Sequence, residues 1–134
     1  MKTRLVLVLA FLALATWACD SSSSTSSAVS TSAPSKDISG TYDVAGTDLE
    51  GVTYTGEMTL TRTSGNDYDI EYRFGDSTEK GSGTLDGDTF TGTWSTGDAS
   101  GKLTFTVLSS GVLTGTWTQD GKSGQGAETL TPQK

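Results

Sequence analysis

Apolar and polar residues alternate with a period of two through most of the chain after residue 37, which predicts β-strands. In one run Tyr54, Met58 and Leu60 share a face, while threonines and Glu57 occupy the other. The same alternation recurs at 68–74, 90–94, 103–107 and 113–117. This region lacks the period of an amphipathic helix. We therefore predict an all-β domain.

Short turn signals rich in Gly, Asn, Asp and Ser divide this region into eight predicted strands. Their bounds are 38–45, 52–62, 67–75, 78–85, 88–95, 101–108, 112–119 and 124–131. Because the links are short, strands that are neighbours in sequence should pair as antiparallel hairpins. About eight strands suffice for a sheet to close on itself and remove its edges. We expect a small antiparallel up-and-down β-barrel, and an open two-sheet sandwich is the alternative.

A Gly-Thr pair followed by a large apolar residue recurs in four of the predicted strands. The four copies are Gly40-Thr41-Tyr42, Gly83-Thr84-Leu85, Gly92-Thr93-Trp94 and Gly115-Thr116-Trp117. We interpret the unit as part of the barrel wall and core, in which an inward glycine permits tight curvature. Gly56 is predicted to face inward for the same reason.

The segment from Gly92 to Trp117, with its two Gly-Thr-Trp units, resembles the first hairpin of the avidin family. The domain is thus similar to the calycins, the avidin-like and lipocalin-like small barrels. This resemblance implies a calycin-type barrel with room for one small ligand. No ligand residue is carried over from it, since the intervening loop holds Thr96 and Ser100 but no Asn.

The first nineteen residues have the charge and hydropathy of an export signal. Lys2 and Arg4 precede an unbroken apolar run over 5–15, which is too short to span a bilayer. Small residues lie three and one positions before Cys19. The segment resembles a bacterial lipoprotein signal peptide, which implies cleavage after residue 18 and acylation of the Cys19 sulfur. An ordinary secretory signal cut at the same bond is the alternative.

Cys19 is the only cysteine of the chain, so it has no partner for an internal disulfide. The residues that follow it are nearly all Ser, Thr and Ala, a composition that predicts a disordered linker. We therefore expect a signal peptide at 1–18, the lipidated cysteine and linker at 19–36, and the barrel at 37–134. The expected location is the bacterial cell envelope, where the exported protein would be anchored to a membrane.

Charge and composition exclude several functions. Without residues 1–18 the chain keeps seven basic and sixteen acidic residues, which gives a net charge of −9 and disfavours nucleic acid as a partner. The sequence has no histidine, which removes the commonest general base and zinc ligand. Asp67, Asp69 and Glu71 are interpreted as a solvated acidic face, with a weak Ca²⁺ or glycan contact as the alternative. We expect no enzyme activity, no metal and no cofactor.

After these exclusions the sequence leaves two candidate functions. The first is a structural or protein-interaction barrel with an envelope protein as its partner; it is favoured because about nine inward aromatic residues should fill the interior. The alternative is a barrel that binds a small apolar or amphipathic ligand at one open end. The residues expected to line that end are Tyr42, Tyr72, Trp94 and Trp117.

Glu128 is the fifth candidate for this lining. The alternation from Gly126 to Leu130 places its carboxyl group inside the barrel. A buried carboxylate needs a hydrogen-bonding or charged partner. We expect that partner to be Arg73, Lys102 or a tyrosine hydroxyl, unless Glu128 is a residue of a fraying edge.

Overall fold

The structure is a computed structural model that describes residues 36–134, so the predicted signal peptide, Cys19 and the linker up to residue 35 lie outside the described residues. The strands are β1 (Gly40–Thr47), β2 (Thr53–Ser64), β3 (Asp67–Phe74), β4 (Ser77–Asp86), β5 (Thr89–Ser95), β6 (Ser100–Val107), β7 (Leu113–Gln119) and β8 (Gly126–Pro132). Each lies within two residues of its predicted bounds. In residues 36–134 we find no helix of the length and apolarity that crossing a membrane requires.

All eight strands join in sequence order into one closed antiparallel barrel, in which β1 pairs with both β2 and β8. The predicted barrel is therefore confirmed, and the open sandwich is wrong. Closure follows from the short hairpin links and from the single apolar face of each strand, which is buried only when the sheet curls around it.

The barrel interior follows the alternation of the sequence. In β6 every second residue is buried, from Gly101 through Leu103 and Phe105 to Val107. Gly56, Gly92 and Gly115 face inward as predicted, and a methyl group on any of them would collide with neighbouring strands. The largest fully buried side chains are Tyr68, Phe90, Phe105, Met58, Leu60, Leu103, Leu113 and Leu130.

One end of the barrel, here called the closed end, is covered by residues 36–39. Ile38 is 4% exposed, and its backbone forms two hydrogen bonds to inward tyrosines. The Tyr42 hydroxyl donates to the Ile38 carbonyl at 2.8 Å, and the Ile38 amide donates to the Tyr68 hydroxyl at 3.3 Å. Lys36 adds an ion pair with Asp88 at 3.3 Å on the surface of this end. The chain therefore enters the barrel across the closed end.

The opposite end, here called the mouth, carries the loops that follow β1, β3, β5 and β7. The loop after β1 is a tight turn ordered by Asp48, whose Oδ1 accepts the amides of Glu50 at 2.9 Å and Val52 at 2.8 Å. A cavity opens at this end. Inward side chains therefore fill the barrel towards the closed end, whereas a cavity remains at the mouth.

Candidate ligand-binding site

The cavity at the mouth has a volume of about 310 Å³. Its walls come from β2, β3, β4, β5, β7 and β8 and from the turn after β1. The lining residues are Asp48, Tyr54, Thr55, Tyr72, Phe74, Glu79, Trp94, Trp117 and Glu128. Five of these nine side chains are aromatic and three are carboxylic acids, so the cavity has an apolar wall with a few acidic groups.

The aromatic side chains have room because glycines lie opposite them on the adjacent strands. Tyr54 pairs with Gly46, and a methyl group at Gly46 would stand 2.7 Å from the tyrosine ring. Trp117 likewise pairs with Gly126, where a methyl group would collide with the indole. The same relation holds for Trp94 over Gly101 on β6. These glycines let large rings lie flat on the barrel wall, where a side chain would exclude them.

The rings pack on one another around the cavity. Trp94 and Trp117 form a T-shaped pair with centroids 5.7 Å apart. Phe74 contacts Tyr54 edge-on and stacks on Tyr72, with centroids 5.4 Å apart in both pairs. Such pairs contribute about 0.5–1.5 kcal/mol each beyond the burial of their area. The lining is therefore held in place by its own contacts.

Glu128 lies at the centre of a hydrogen-bond network beneath the rings. The Tyr54 hydroxyl donates to Oε1 at 2.6 Å, and the Tyr72 hydroxyl donates to Oε2 at 2.8 Å. The Trp117 indole N–H in turn donates to the Tyr54 oxygen at 2.8 Å. Because an indole N–H can only donate, Tyr54 must turn its own proton towards Glu128. The network therefore orients two donors at both oxygens of the carboxylate.

Burial changes the acidity of these groups. Burial raises the pKa of Glu128 above its ordinary value, although the two tyrosine hydrogen bonds act in the opposite direction. Burial and the nearby Glu128 carboxylate raise the pKa of both Tyr54 and Tyr72, so both keep their protons. The pKa of Glu79 is also raised, first by burial and then by repulsion from Glu128. Perturbed acids that converge in a cavity are typical of functional sites.

Among the described residues, no lysine or arginine lines the cavity. Arg73 points outwards, where it forms an ion pair with Glu71 at 2.8 Å, and Lys102 is exposed on the outer face of β6. The partner of Glu128 is therefore a pair of tyrosine hydroxyls, one of the predicted alternatives, and not a cation. Within residues 36–134 we find no group of three acids or other metal ligands arranged to hold a metal ion.

The structure brings together four of the five residues that the sequence predicted at one open end. They are Tyr72, Trp94, Trp117 and Glu128. Tyr42 is the exception: it lies at the closed end, bonded to the Ile38 carbonyl, and does not line the cavity. The Gly-Thr pair that precedes Tyr42 lies at the start of β1, whereas the Gly-Thr pairs that precede Trp94 and Trp117 lie closer to the ends of β5 and β7. In an up-and-down barrel these positions belong to opposite ends.

Tyr54, Phe74 and Glu79 were not predicted as lining residues. Alternation places Tyr54 and Phe74 on inward faces, but their distance from the mouth depends on the strand register. The sequence does indicate the position of Glu79: every second residue back from Leu85, through the glycines of β4, lies on the inward face and leads to Glu79. Because Glu79 is charged, it does not count as an inward residue in a pattern of alternating apolar residues.

Comparisons with known proteins show the fold. No family model matches the chain, and no curated protein does. A redesigned β-barrel, b11L5F_LGL, matches with a TM-score of 0.62 and 24% identity, over 72% of this chain and 92% of that one. A second, mFAP1 bound to DFHBI, gives a TM-score of 0.60 and 23% identity, over 70% and 94%.

A third similar structure is a de novo designed fluorescence-activating β-barrel. It matches with a TM-score of 0.59 and 15% identity, over 71% of this chain and 93% of that one. At these identities the likeness concerns the course of the backbone. The described part of this chain is therefore similar to designed eight-stranded antiparallel barrels in fold alone.

Proposed function

We propose that the barrel domain binds one small apolar or amphipathic molecule in the cavity at its mouth. The observation that carries this proposal is the coexistence of a space of about 310 Å³ with a lining of five aromatic rings. Small-molecule sites are concave, mostly apolar, and contain a few placed polar groups. A barrel whose only task is structural gains stability from filling such a space, because empty volume forfeits packing contacts.

The outer surface of residues 36–134 offers little for the competing role of a protein-interaction barrel. Its exposed large hydrophobic residues are Val52 and Leu108. Val52 belongs to the loop after β1 at the mouth, and Leu108 belongs to the loop after β6 at the closed end. Two isolated residues at opposite ends do not form an apolar patch of the kind that protein interfaces bury.

A structurally similar redesigned barrel was solved bound to DFHBI, so a barrel of this fold can hold a small molecule. This supports the proposal at the level of the fold. Which ligand binds depends on the side chains of this chain, and these differ from those of the designed barrel at most positions.

The domain is further proposed to act as a non-enzymatic part of a lipoprotein in the bacterial cell envelope. This part of the proposal rests on the sequence around Cys19. The chain enters the barrel at the closed end, where Lys36 contacts Asp88. A lipid on Cys19 would therefore be connected to the domain through residue 36, which lies at the closed end.

Binding is tested with N-phenyl-1-naphthylamine, a neutral dye that fluoresces in apolar surroundings. Trp94 and Trp117 are the only tryptophans besides Trp17, so a Trp17→Phe protein reports on the cavity alone. We expect saturable dye emission with one site per chain, together with quenching of the tryptophan emission. No emission and no quenching at micromolar protein concentrations would contradict the proposal.

A matched pair of variants locates the dye. Glu79→Arg places a long side chain in the cavity beside Glu128, whereas Thr78→Arg places the same side chain on the exposed outer face one residue away. We expect Glu79→Arg to weaken dye binding by about tenfold or more, because it fills the space. Thr78→Arg should leave dye binding unchanged. Equal effects of the two variants would place the dye elsewhere.

Lipidation is tested by intact-mass spectrometry of the protein extracted from membranes. We expect a chain that begins at Cys19 and carries the added mass of acyl groups. Cys19→Ser should release the protein from the membrane fraction, because stable anchoring depends on the buried acyl chains. An unmodified Cys19 on a protein recovered in the soluble fraction would refute the anchor and leave the binding proposal intact.

A further inference from the structure

We propose that the ligand is an organic cation, an ammonium group attached to an apolar body. This inference rests on the proposed function, that the cavity binds a small molecule, and specifies its charge. It follows from a count of the hydrogen-bond donors, acceptors and charges that the lining leaves free.

The donors of the lining are almost all used within the protein. The hydroxyl protons of Tyr54 and Tyr72 are directed at Glu128. The indole N–H of Trp117 is bonded to Tyr54, and that of Trp94 donates to the Thr118 carbonyl at 3.1 Å. An anionic ligand needs donors or positive charge, and apart from the Thr55 hydroxyl this lining has none to offer.

The hydrogen-bond acceptors of the lining, in contrast, remain partly free. Each oxygen of Glu128 receives one hydrogen bond from a tyrosine and keeps further lone pairs. Glu79 is half-buried opposite Tyr72 in the strand register, and its carboxyl group also lines the cavity. The third acid, Asp48, uses one oxygen for its own turn and adds negative charge at the rim. The polar part of the lining is thus suited to a donor or a cation.

The apolar part of the lining favours a cation as well. The faces of Trp, Tyr and Phe rings carry negative electrostatic potential, and they attract ammonium groups most strongly in desolvated sites. Five such rings surround the same space as the two inner carboxyl groups. A neutral ligand would gain the burial of its area and at most hydrogen bonds to the free acceptors. A cation gains that burial together with attraction to the ring faces and to the carboxyl groups.

The charge balance of the lining points in the same direction. Glu128 is 5% exposed and has neutral hydroxyl partners, with no lysine or arginine in the lining. A buried carboxylate without a counter-charge is costly, and the raised pKa of both Glu128 and Glu79 reflects this cost. A bound cation supplies the missing positive charge between them.

The inference is tested with three probes of one shape and different charge. They are (4-hydroxyphenyl)trimethylammonium, the neutral isostere 4-tert-butylphenol, and the anion 4-hydroxybenzenesulfonate. Affinities are measured from the emission of Trp94 and Trp117 in the Trp17→Phe protein and by calorimetry. We expect the cation to bind about tenfold more tightly than the neutral isostere, and the anion to bind most weakly.

Two variants assign the preference to the carboxyl groups. Glu128→Gln and Glu79→Gln should each reduce the ratio of cation to neutral affinity several-fold, and Glu79 forms no hydrogen bond to another described residue whose loss could disturb folding. Asp76→Asn, which removes an exposed charge beside the mouth but outside the lining, should leave the ratio unchanged. A ratio unaffected by Glu79→Gln would overturn the assignment.

Acidification gives an independent readout, because the quaternary probe carries a fixed charge. Its affinity should fall as the pH drops through the raised pKa of Glu79 and Glu128, while that of the neutral isostere changes little. The other titratable groups that line the site are Asp48 at the rim and the two protonated tyrosines.

The outcomes separate this inference from the proposed function. Binding of N-phenyl-1-naphthylamine and 4-tert-butylphenol without preference for the cation would overturn the inference and leave the binding function standing. Preference for the anion would overturn it as well. Failure of every probe, including the neutral dye, would refute both.

Discussion

The Tyr54 hydroxyl donates a 2.6 Å hydrogen bond to Oε1 of Glu128, across 74 positions of sequence. The two residues lie on β2 and β8, which are separated by β1, and Gly46 of β1 pairs with both of them in the register. The absent side chain of Gly46 lets the tyrosine reach the carboxylate. A single glycine thus joins the aromatic wall to the acidic centre of the cavity.

Tyr72→Phe removes one of the two donors to Glu128. We expect it to lower the free energy of unfolding by about 2 kcal/mol at a pH above the raised pKa of Glu128, where this carboxyl group is ionised, since hydrogen bonds to charged groups contribute the most. At a pH below that pKa the loss should be about half as large, because the acceptor is then neutral. Urea unfolding at the two pH values measures both.

Tyr42→Phe is the control for this prediction. It removes a hydroxyl that donates to a backbone carbonyl at the closed end. Its cost should be about 1 kcal/mol at either pH, because that acceptor does not titrate. Parallel pH dependence of the two variants would contradict the role of Tyr72 in holding an ionised Glu128.

Glu128→Gln should change how stability depends on pH. The pKa of Glu128 is raised in the folded state, so the folded protein holds this proton more tightly than the unfolded chain does. Its contribution to stability therefore decreases as the pH rises from the unfolded pKa through the folded pKa, by about 1.4 kcal/mol for each unit between them. The glutamine removes this decrease.

The measurement is the difference in unfolding free energy between wild type and variant from about pH 4 to about pH 8, a range that begins near the ordinary pKa of a glutamate and extends in the direction of the shift. It should shift in favour of the variant as the pH rises. Glu50→Gln, an exposed substitution in the loop after β1, is the control and should give a difference that does not vary in this way. A flat difference for Glu128→Gln would mean that its burial leaves the carboxyl group unaffected.

Gly126→Ala should damage the aromatic wall. The added methyl group would collide with the Trp117 indole, and forced repacking costs about 1–3 kcal/mol. The emission of Trp117 should also change as its ring is displaced. Gly97→Ala, in the loop after β5 at the same end, has open space around the new methyl group and should change stability by less than about 1 kcal/mol. Equal effects would refute the packing of Trp117 on this glycine.

Ile38→Ala tests the closed end. Ile38 is buried against Tyr42 and Tyr68, so its truncation should cost about 2–4 kcal/mol of stability. Dye binding at the mouth should persist while the protein is folded, since the cavity lies at the other end. Leu108→Ala, an exposed leucine at the same end, is the control with little expected effect. Loss of dye binding in folded Ile38→Ala protein would show that the two ends are not independent.

The strands and their closure could be predicted because they depend on local pattern. Side chains in a strand alternate by geometry, so a single apolar face is visible directly in the order of residues. The short turns then leave antiparallel neighbours as the simplest arrangement. The alternation from Gly126 to Leu130 likewise predicts that Glu128 faces inward, and a tyrosine hydroxyl, one of its expected partners, is bonded to it in the structure.

The site was predicted less completely because it depends on register and depth. Alternation shows that Tyr42 and Tyr72 both face inward, but not that they lie at opposite ends of the barrel. It also cannot show that the rings lie on glycines of adjacent strands, since this requires the pairing of positions such as Trp117 with Gly126. Whether the inward aromatic residues fill the barrel depends on the same pairings.

The central claim is that a small molecule enters the barrel at its mouth, and NMR titration tests it most directly. In Trp17→Phe protein labelled with ¹⁵N, two indole N–H signals are expected, from Trp94 and Trp117. Titration with N-phenyl-1-naphthylamine should shift both signals to saturation and leave the amide of Ile38 at the closed end unmoved. Indole signals that stay in place while the dye is present in excess would contradict it.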